Sequence, residues 1–336
     1  FGRDRNIVSL THLLLSFLIA AIAAGINVVS FPAILIENNT PDSLIGFASA
    51  TELIFGFIAS IFLARILIKL GLTTFLTVIT TLYSLVVFSM YYYQNYLLWI
   101  ALEAVIGICW ISLYIIRQAW VNNIINDRNR SIILALISSL FCLGFFLGSF
   151  MVKFIGANNH HSLITSALLI LLSGLLLLLV KNSAPEKIDS DHIKFSDFFI
   201  KLPNESLARF LLDLMAGCIV CLGVLFGTKI NLSAENSGLL IAAFMGSGIF
   251  DLYAGLLVRR HNGKRMIALG FLGCLITMSC AMFFYQVYSL LLASFFFFGT
   301  SCALIFIASL TNINNNFDKS KLVAANATFQ AFGSLG

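Results

Sequence analysis

The chain has 336 residues, of which 60% are hydrophobic and only 10% are charged. A soluble domain carries about 25% charged residues, so this composition excludes one and indicates a protein surrounded by lipid. The net charge of +5 comes from basic loops between apolar segments, and we expect no nucleic-acid partner. The sequence shows no nucleophile–base set, phosphate loop or metal-ligand spacing, so we expect neither an enzyme nor a cofactor or metal site.

Ten apolar segments are long enough to cross about 30 Å of hydrocarbon, and part of an eleventh follows. We call them spans 1 to 11. They lie near residues 8–35, 44–68, 73–93, 97–117, 132–152, 162–180, 207–228, 237–258, 266–285 and 288–310, and from 322 onward. Because the bilayer core has no water to satisfy backbone groups, each span must be helical. The predicted fold class is an all-α polytopic membrane protein.

The basic residues predict the orientation. If the N-terminus is cytoplasmic and the spans alternate, eighteen of the twenty Lys and Arg residues lie on the cytoplasmic side. Only Lys153 and Lys229 fall on the other side. The positive-inside rule then predicts a multi-pass protein of the bacterial cytoplasmic (inner) membrane. As names for the two ends of the bundle, we call the side predicted to be cytoplasmic the inner side and the opposite side the outer side.

One long polar segment divides the spans into six and five. Residues 181–205 hold nine charges together with Pro185 and Pro203, a composition typical of a solvated linker. The predicted units are an N-terminal six-helix half (1–180), a cytoplasmic linker (181–206) and a C-terminal half (207–336). We expect the natural protein to be longer, with a preceding N-terminus, the rest of span 11 and a span 12.

Two short basic turns recur half a chain apart. The first follows span 2 and contains Lys69 and Gly71; the second follows span 8 and contains Arg260 and Gly263. Gly71 is predicted to take a positive φ in a tight reversal. A turn repeated at this distance indicates two homologous halves.

These turns resemble the one between helices 2 and 3 of major facilitator superfamily transporters, Gly-x-Leu-Ala-Asp-Arg-x-Gly-Arg-Arg. Lys69 matches the arginine and Gly71 the second glycine, whereas Ile68 replaces the aspartate. The second copy keeps Gly255, Arg260 and Gly263. The segment from span 4 to span 5 is also similar to bacterial drug and metabolite facilitators, and it includes a glycine pair, Gly144 and Gly148.

The resemblance implies a monomer in the bilayer with two six-helix halves that alternate access to a small-molecule substrate. It also implies that spans 1, 4, 7 and 10 line a central cavity. The favoured function is proton-coupled movement of a small organic solute, with export favoured over uptake. A nutrient-uptake symporter and a lipid or lysolipid flippase remain alternatives.

Span 4 carries the main candidate site. Glu103, Gly107, Trp110, Tyr114 and Arg117 fall within about 40° of one line at ~100° per residue, and a stripe of this kind must face protein or water. A carboxylate at membrane depth costs at least ~2.5 kcal/mol, so Glu103 is a candidate proton carrier. Arg117 is a candidate partner for a carboxylate or an anionic substrate group.

Other polar residues within the spans have both a functional and a structural interpretation. Glu52 and Asp213 are further proton-site candidates, but Arg209 lies one turn before Asp213 and an ion pair would explain it. Asp251 is expected to anchor the basic end of span 8. Asn27 contacts either the substrate or a neighbouring helix.

The topology is open to a direct test. In a variant without native cysteines, an impermeant thiol reagent added from outside should label a cysteine at Asn158 and miss one at Asp189. The reverse labelling would contradict the predicted orientation.

Overall fold

The computed structural model describes residues 2–70, 72–93, 95–124, 130–157, 160–179, 195–317 and 322–336. Within these ranges the regular structure is helical. The helices are α1 (Gly2–Glu37), α2 (Asp42–Leu70), α3 (Leu72–Tyr92), α4 (Tyr96–Ile124), α5 (Arg130–Ile155), α6 (His161–Leu178), α7 (Phe195–Lys201), α8 (Pro203–Lys229), α9 (Ala234–Gly246), α10 (Asp251–Arg260), α11 (Gly263–Phe283), α12 (Tyr288–Asn316) and α13 (Leu322–Leu335). A short 3-10 segment, Ser247–Phe250, joins α9 to α10.

The predicted all-α polytopic class is confirmed. In the described part of the chain, nine helices are long and apolar enough to cross a membrane, and α9 with α10 makes a tenth. Many apolar side chains on the outside of the bundle are more than half exposed, among them Leu168, Leu175 and Phe297. Such a surface is compatible with lipid rather than water.

Span 8 is not the single continuous helix that its apolar composition predicts. The α9 and α10 parts are bent by 50° at the 3-10 segment. Gly246, Ser247 and Gly248 lie at this break, and Gly/Ser pairs are a common cause of sharp helix kinks. The apolar run alone could not show this, because these small residues fit a spanning helix equally well by hydropathy.

The last part of the predicted linker is helical. Helix α7 occupies residues 195–201, and Pro203 is the first residue of α8, where its missing N–H costs nothing. The Phe198 side chain is fully buried against Ile313 and Phe329. Residues 180–194 lie outside the described ranges.

The N-terminal helices pack around α1. Helix α1 contacts α5 and α6, α2 packs on α4, and α3 packs on α6. A side chain at Gly148 would overlap the main-chain carbonyl of Ile22, so α5 and α1 approach closely at that point. The glycine pair Gly144 and Gly148 therefore lies at a close helix contact, which is typical of small residues in membrane helices.

The C-terminal helices pack around α12. Helix α12 contacts α8, α9, α10, α11 and α13. Their shared apolar core includes Leu240, Leu291 and Ile305, none of which is exposed.

The two sets of helices meet along α5 with α9 and along α1 with α8. At the outer end, Lys229 Nζ lies 2.7 Å from Asp42 Oδ2. We call this ion pair, which joins α2 to α8, the outer latch. Also at this end, the Ala157 amide donates to the Glu235 carboxylate at 3.4 Å. The halves are thus linked by polar contacts where loops reach water.

The closest approach of α2 and α4 makes a testable prediction. A Cβ at Gly107 would overlap the main-chain carbonyl of Glu52, whereas a Cβ at Gly217 on α8 would meet nothing within 4 Å. Gly107→Ala should therefore lower the melting temperature of the detergent-solubilised protein, because the two backbones must separate. Gly217→Ala makes the same chemical change and should leave the melting temperature unchanged or slightly raised, since Ala is the better helix former. Equal melting temperatures for the two variants would contradict the close approach.

Candidate functional site

Four polar side chains lie at a similar depth below the outer ends of their helices. Asn27 is ten residues before the end of α1, and Glu52 is ten residues after the start of α2. Tyr83 is nine residues before the end of α3, and Glu103 is seven residues after the start of α4. At 1.5 Å per residue, these offsets place all four about 10–15 Å below the outer ends. We call Asn27, Glu52, Tyr83 and Glu103 the carboxyl cluster.

The close contact between α2 and α4 brings the two carboxyl groups together. Gly107 lies against the Glu52 main chain, and Glu103 is one turn before Gly107 on the same face of α4. The two carboxyl groups are near enough to interact electrostatically. The structure thus joins two residues that lie 51 positions apart in the sequence.

Unsatisfied polar atoms mark the cluster. Glu103 is only 3% exposed, and its Oε2 has no hydrogen-bond partner among the described residues. The Asn27 amide donates to the Tyr83 hydroxyl at 3.4 Å, but Asn27 Oδ1 likewise has no partner in the described part of the chain. Buried polar atoms are nearly always paired in proteins, and in the described residues Ser30, Arg209 and Ser309 carry such an atom as well. Two of these atoms together beside a second carboxyl group make the cluster a candidate for binding a proton, water or ligand.

Helix α8 of the C-terminal half also reaches the cluster. The Cys221 thiol interacts electrostatically with both Glu52 and Glu103. The cluster therefore lies near the contact of α1 and α2 of one half with α8 of the other. Neither Tyr83 nor Cys221 was predicted from the sequence. Tyr83 could have been found there, because it lies opposite Glu103 in the hairpin of α3 and α4.

A cavity of about 340 Å³ opens at the outer end between the two halves. Its lining includes the two residues of the outer latch, Asp42 and Lys229, and the polar residues Asn39, Thr40 and Thr228. The cavity and the carboxyl cluster share helices α1 and α2, and the cavity is the nearer of the two to the outer loops.

A second polar group centres on Arg209, whose Nη2 is paired and whose Nε has no hydrogen-bond partner among the described residues. Arg209 contacts Asp213 at 2.8 Å and donates to Gln330 Oε1 at 2.7 Å. The guanidinium carbon lies 5.0 Å from the ring centre of Phe306 and 5.4 Å from that of Phe329. The i,i+4 ion pair that the sequence suggested is present, and it joins α8 to α12 and α13.

The stripe on α4 packs against neighbouring helices. Trp110 contacts Phe141 and Phe145 of α5, and Tyr114 contacts Phe17 of α1 as well as Phe141. Tyr114 also interacts electrostatically with the Arg209–Asp213 pair across the boundary between the halves. The side chain of Arg117 lies outside the described residues.

The residues of the two basic turns and Asp251 are compared here with their predicted positions. Asp251 accepts a hydrogen bond from Ser138 of α5 at 2.9 Å, so its observed contact joins the two halves rather than anchoring the basic turn. Arg260 is exposed at the end of α10, Gly255 lies within α10, and Gly263 starts α11. A Cβ at Gly263 would collide with the Asn312 side chain, and its φ is not positive. Gly71 and the Lys69 side chain lie outside the described residues.

The amino-acid sequence matches the family model of the Major Facilitator Superfamily over residues 13–227 and 206–336. The chain belongs to the major facilitator superfamily. The match spans both halves and includes every residue of the carboxyl cluster.

Relatives and solved structures agree with this family. An uncharacterized transporter of the major facilitator type, YfkF of Bacillus subtilis (strain 168), is 23% identical over 252 residues, which are 70% of this chain and 62% of that protein. A mutant of the nucleoside transporter NupG superposes with a TM-score of 0.79, at 14% identity, over 98% of this chain and 88% of that one. A bacterial homologue of the human lysosomal transporter Spinster, inward-facing and unoccupied, has a TM-score of 0.75, at 12% identity, over 98% and 80% of the two chains.

A third similar structure is a D-xylose–proton symporter, with a TM-score of 0.71, at 14% identity, over 98% of this chain and 86% of that one. At these identities the structures show a shared major facilitator fold and nothing about cargo. The chain spans 62% of the length of YfkF.

The Arg209–Asp213 ion pair in the C-terminal half allows a second prediction. Asp213→Asn removes the anionic partner of the Arg209 guanidinium and should destabilise the protein by about 1–3 kcal/mol, measured as a lower melting temperature. Asp197→Asn, the same change at an exposed position of α7, is the control and should have no effect. If Asp213→Asn melts like the parent protein and instead alters the pH dependence of transport, Asp213 is a proton site.

Proposed function

We propose that this protein is a secondary active transporter that moves a small organic solute across the bacterial cytoplasmic membrane by alternating access. Protons are the coupling ion, and the net movement of solute is outward. The observation that carries the proposal is Glu103, a buried carboxyl group with an unpartnered oxygen beside a second carboxyl group, Glu52. Membership of the major facilitator superfamily supplies the transport framework.

The electrostatics of the carboxyl cluster suit reversible proton binding. Among the described residues, Glu103 interacts with the charge of Glu52, and no cation acts on either carboxyl group. Two ionised carboxylates in a low-dielectric site repel each other strongly. One bound proton removes this repulsion. Whether the pair binds or releases that proton then depends mainly on its access to water.

The position of the cluster links proton binding to the alternation of the halves. The Cys221 thiol of α8 interacts electrostatically with the two carboxyl groups, and the outer latch joins α8 to α2 nearer the outer end. When the halves separate at this end, α8 moves away and water reaches the carboxylates, which stabilises their ionised form. When the latch closes, the carboxyl pair is dehydrated and retains a proton.

Two further features support the finer parts of the proposal. The distribution of basic residues supports a cytoplasmic N-terminus in the inner membrane, and the similarity of spans 4 and 5 to drug and metabolite facilitators supports export. The symporter among the similar structures is proton-coupled by its description, and nutrient uptake with protons is the competing direction. Superfamily members are transporters, and we propose no enzymatic activity.

The decisive experiment replaces the proton site. A thermal-shift screen of small solutes against the full-length protein first identifies a ligand, and flux is then measured in proteoliposomes with and without a pH gradient. Glu103→Gln keeps the size and hydrogen bonding of the side chain but cannot titrate. We expect it to bind the ligand and to exchange it across the membrane, but to lose transport driven by the pH gradient.

Glu37→Gln at the exposed outer end of α1 is the matched control and should behave like the parent protein. An unchanged pH dependence in Glu103→Gln would make this carboxyl group structural and direct attention to Glu52 or Asp213. Ligand accumulation inside right-side-out vesicles, driven by an inward proton gradient, would establish uptake rather than export.

A further inference from the structure

Helices α10 and α11 border a groove on the outside of the C-terminal half. The two helices meet at the short turn 261–262, and both pack on α12, which forms the floor between them. The groove has a volume of about 230 Å³. Its lining includes Tyr253 and Leu257 of α10, Leu269 of α11, and Ser301 and Leu304 of α12. Tyr253, Leu257 and Leu269 are about half exposed or more, so the groove is open to the surrounding lipid.

The groove begins at the break in span 8. Phe250, the last residue of the 3-10 segment, is also part of its lining, and α10 turns away from the line of α9 by 50° at this point. Helix α10 packs on α12 and α5, and α11 packs on α12, so the described part of the chain places no further helix between them. The groove therefore extends from the break towards the basic turn at the inner end.

The inner end of the groove is strongly basic. Arg259 and Arg260 end α10, and Lys264 and Arg265 lie in the first turn of α11. All four side chains are exposed, and none has an ion-pair partner among the described residues. Helices α10, α11 and α12 together contain one acidic residue, Asp251, whose carboxylate is hydrogen-bonded to α5. The net charge of these three helices is therefore positive and concentrated at one end of the groove.

The helical register aligns two of these cations with the groove. Arg260 is three residues after Leu257 on α10. Arg265 is four residues before Leu269 on α11. Residues three or four apart lie on the same face of a helix, so each arginine follows a groove-lining leucine towards the inner end. The offset along the helix is about 4.5–6 Å, a distance that an arginine spans with its apolar stem against the groove and its charged group at the membrane surface.

We propose that this groove, which we call the inner lipid site, binds one anionic phospholipid. An acyl chain lies against Tyr253, Leu257 and Leu269, and the phosphate lies between Arg260 and Arg265. Guanidinium groups hold phosphates through paired, charge-assisted hydrogen bonds, and basic pockets between membrane helices on the cytoplasmic side suit anionic headgroups. A soluble anion would leave the apolar groove empty, and a zwitterionic lipid would bring an ammonium group to four cations. The inner lipid site does not depend on the proposed proton coupling.

A role limited to membrane orientation makes a different prediction. Basic residues at the inner ends of helices also orient a protein in the membrane. If that is all these four cations do, the protein has no preference for one phospholipid, and the shape of the groove has no effect on lipid binding. The two roles are therefore separated by variants that change the groove and leave its charge unaltered.

The test counts the phospholipids that the full-length protein retains in detergent. Native mass spectra are recorded after the addition of phosphatidylglycerol or phosphatidylethanolamine. Leu257→Trp fills the groove, and Leu256→Trp is its matched control, because Leu256 is the neighbouring exposed residue and is not part of the lining. Arg265→Gln removes one cation of the site. Lys153→Gln, at an exposed position near the outer end of α5, is the control for the loss of one positive charge.

We expect the parent protein to retain one phosphatidylglycerol in preference to phosphatidylethanolamine. Arg265→Gln should lower the affinity for phosphatidylglycerol about fivefold, the contribution of one basic residue at an anionic lipid surface. Leu257→Trp should abolish the retained lipid, because the acyl chain loses its place. Leu256→Trp and Lys153→Gln should bind phosphatidylglycerol like the parent. Phosphatidylglycerol should also raise the melting temperature of the parent, whereas inorganic phosphate alone should not.

Several results would overturn the inner lipid site. Equal retention of the two phospholipids by the parent would show that the four cations select no headgroup. Equal lipid binding by Leu257→Trp and Leu256→Trp would remove the groove from the site, and an unchanged affinity in Arg265→Gln would remove the phosphate contact. An equal rise in melting temperature with inorganic phosphate alone would identify a site for a soluble anion instead. If Leu257→Trp does not fold, Leu269→Trp fills the same groove from α11 and is held to the same outcomes.

Discussion

Hydrocarbon cannot hydrogen-bond, and this constraint governs both the fold and the candidate site. Backbone groups can be satisfied only within helices, which is why the apolar segments form a bundle. Side chains are held to the same requirement, so polar groups within the bundle must find partners on neighbouring helices. Ser16, Ser84 and Ser166, for example, donate to main-chain carbonyls of other helices. Against this background, a buried polar atom without a partner is conspicuous.

The two polar groups of the bundle differ in their charge balance. Arg209 lies beside Asp213, Gln330 and two aromatic rings, and Asp213 balances its charge, although Arg209 Nε has no partner among the described residues. The carboxyl cluster holds two acidic groups, and in the described part of the chain one of its carboxyl oxygens and one amide oxygen have no partner. A paired cation and anion stabilise one arrangement, whereas two neighbouring acidic groups change their free energy when a proton or water arrives. The contrast supports a structural role for Asp213 and a functional role for Glu103.

Much of the fold follows from the sequence, because hydropathy and charge act over whole segments. The spans and the i,i+4 pair of Arg209 and Asp213 depend only on local spacing. The site depends on tertiary contacts, which spacing does not encode. The nearness of Glu52 to Glu103 requires the Gly107 contact between α2 and α4. The contact of Asp251 with Ser138 was missed for the same reason, since it depends on how α5 packs against the other half. The break in span 8 was missed because hydropathy does not distinguish Gly and Ser at a kink from Gly and Ser in a straight spanning helix.

The arrangement of α2 and α8 connects the site to movement between the halves. The two helices run in opposite directions through the bundle, with the outer latch at one end of their contact and Glu52 opposite Cys221 further in. Ten residues separate Asp42 from Glu52 on α2, and eight separate Cys221 from Lys229 on α8, or about 12–15 Å along either helix. In the proposed transport cycle, a separation at the latch acts on the carboxyl pair through the two helices and needs no intermediate chain of side chains. Water that enters along this boundary would reach first the ion pair, whose side chains are more than half exposed, and then the carboxyl groups that we propose as the proton site.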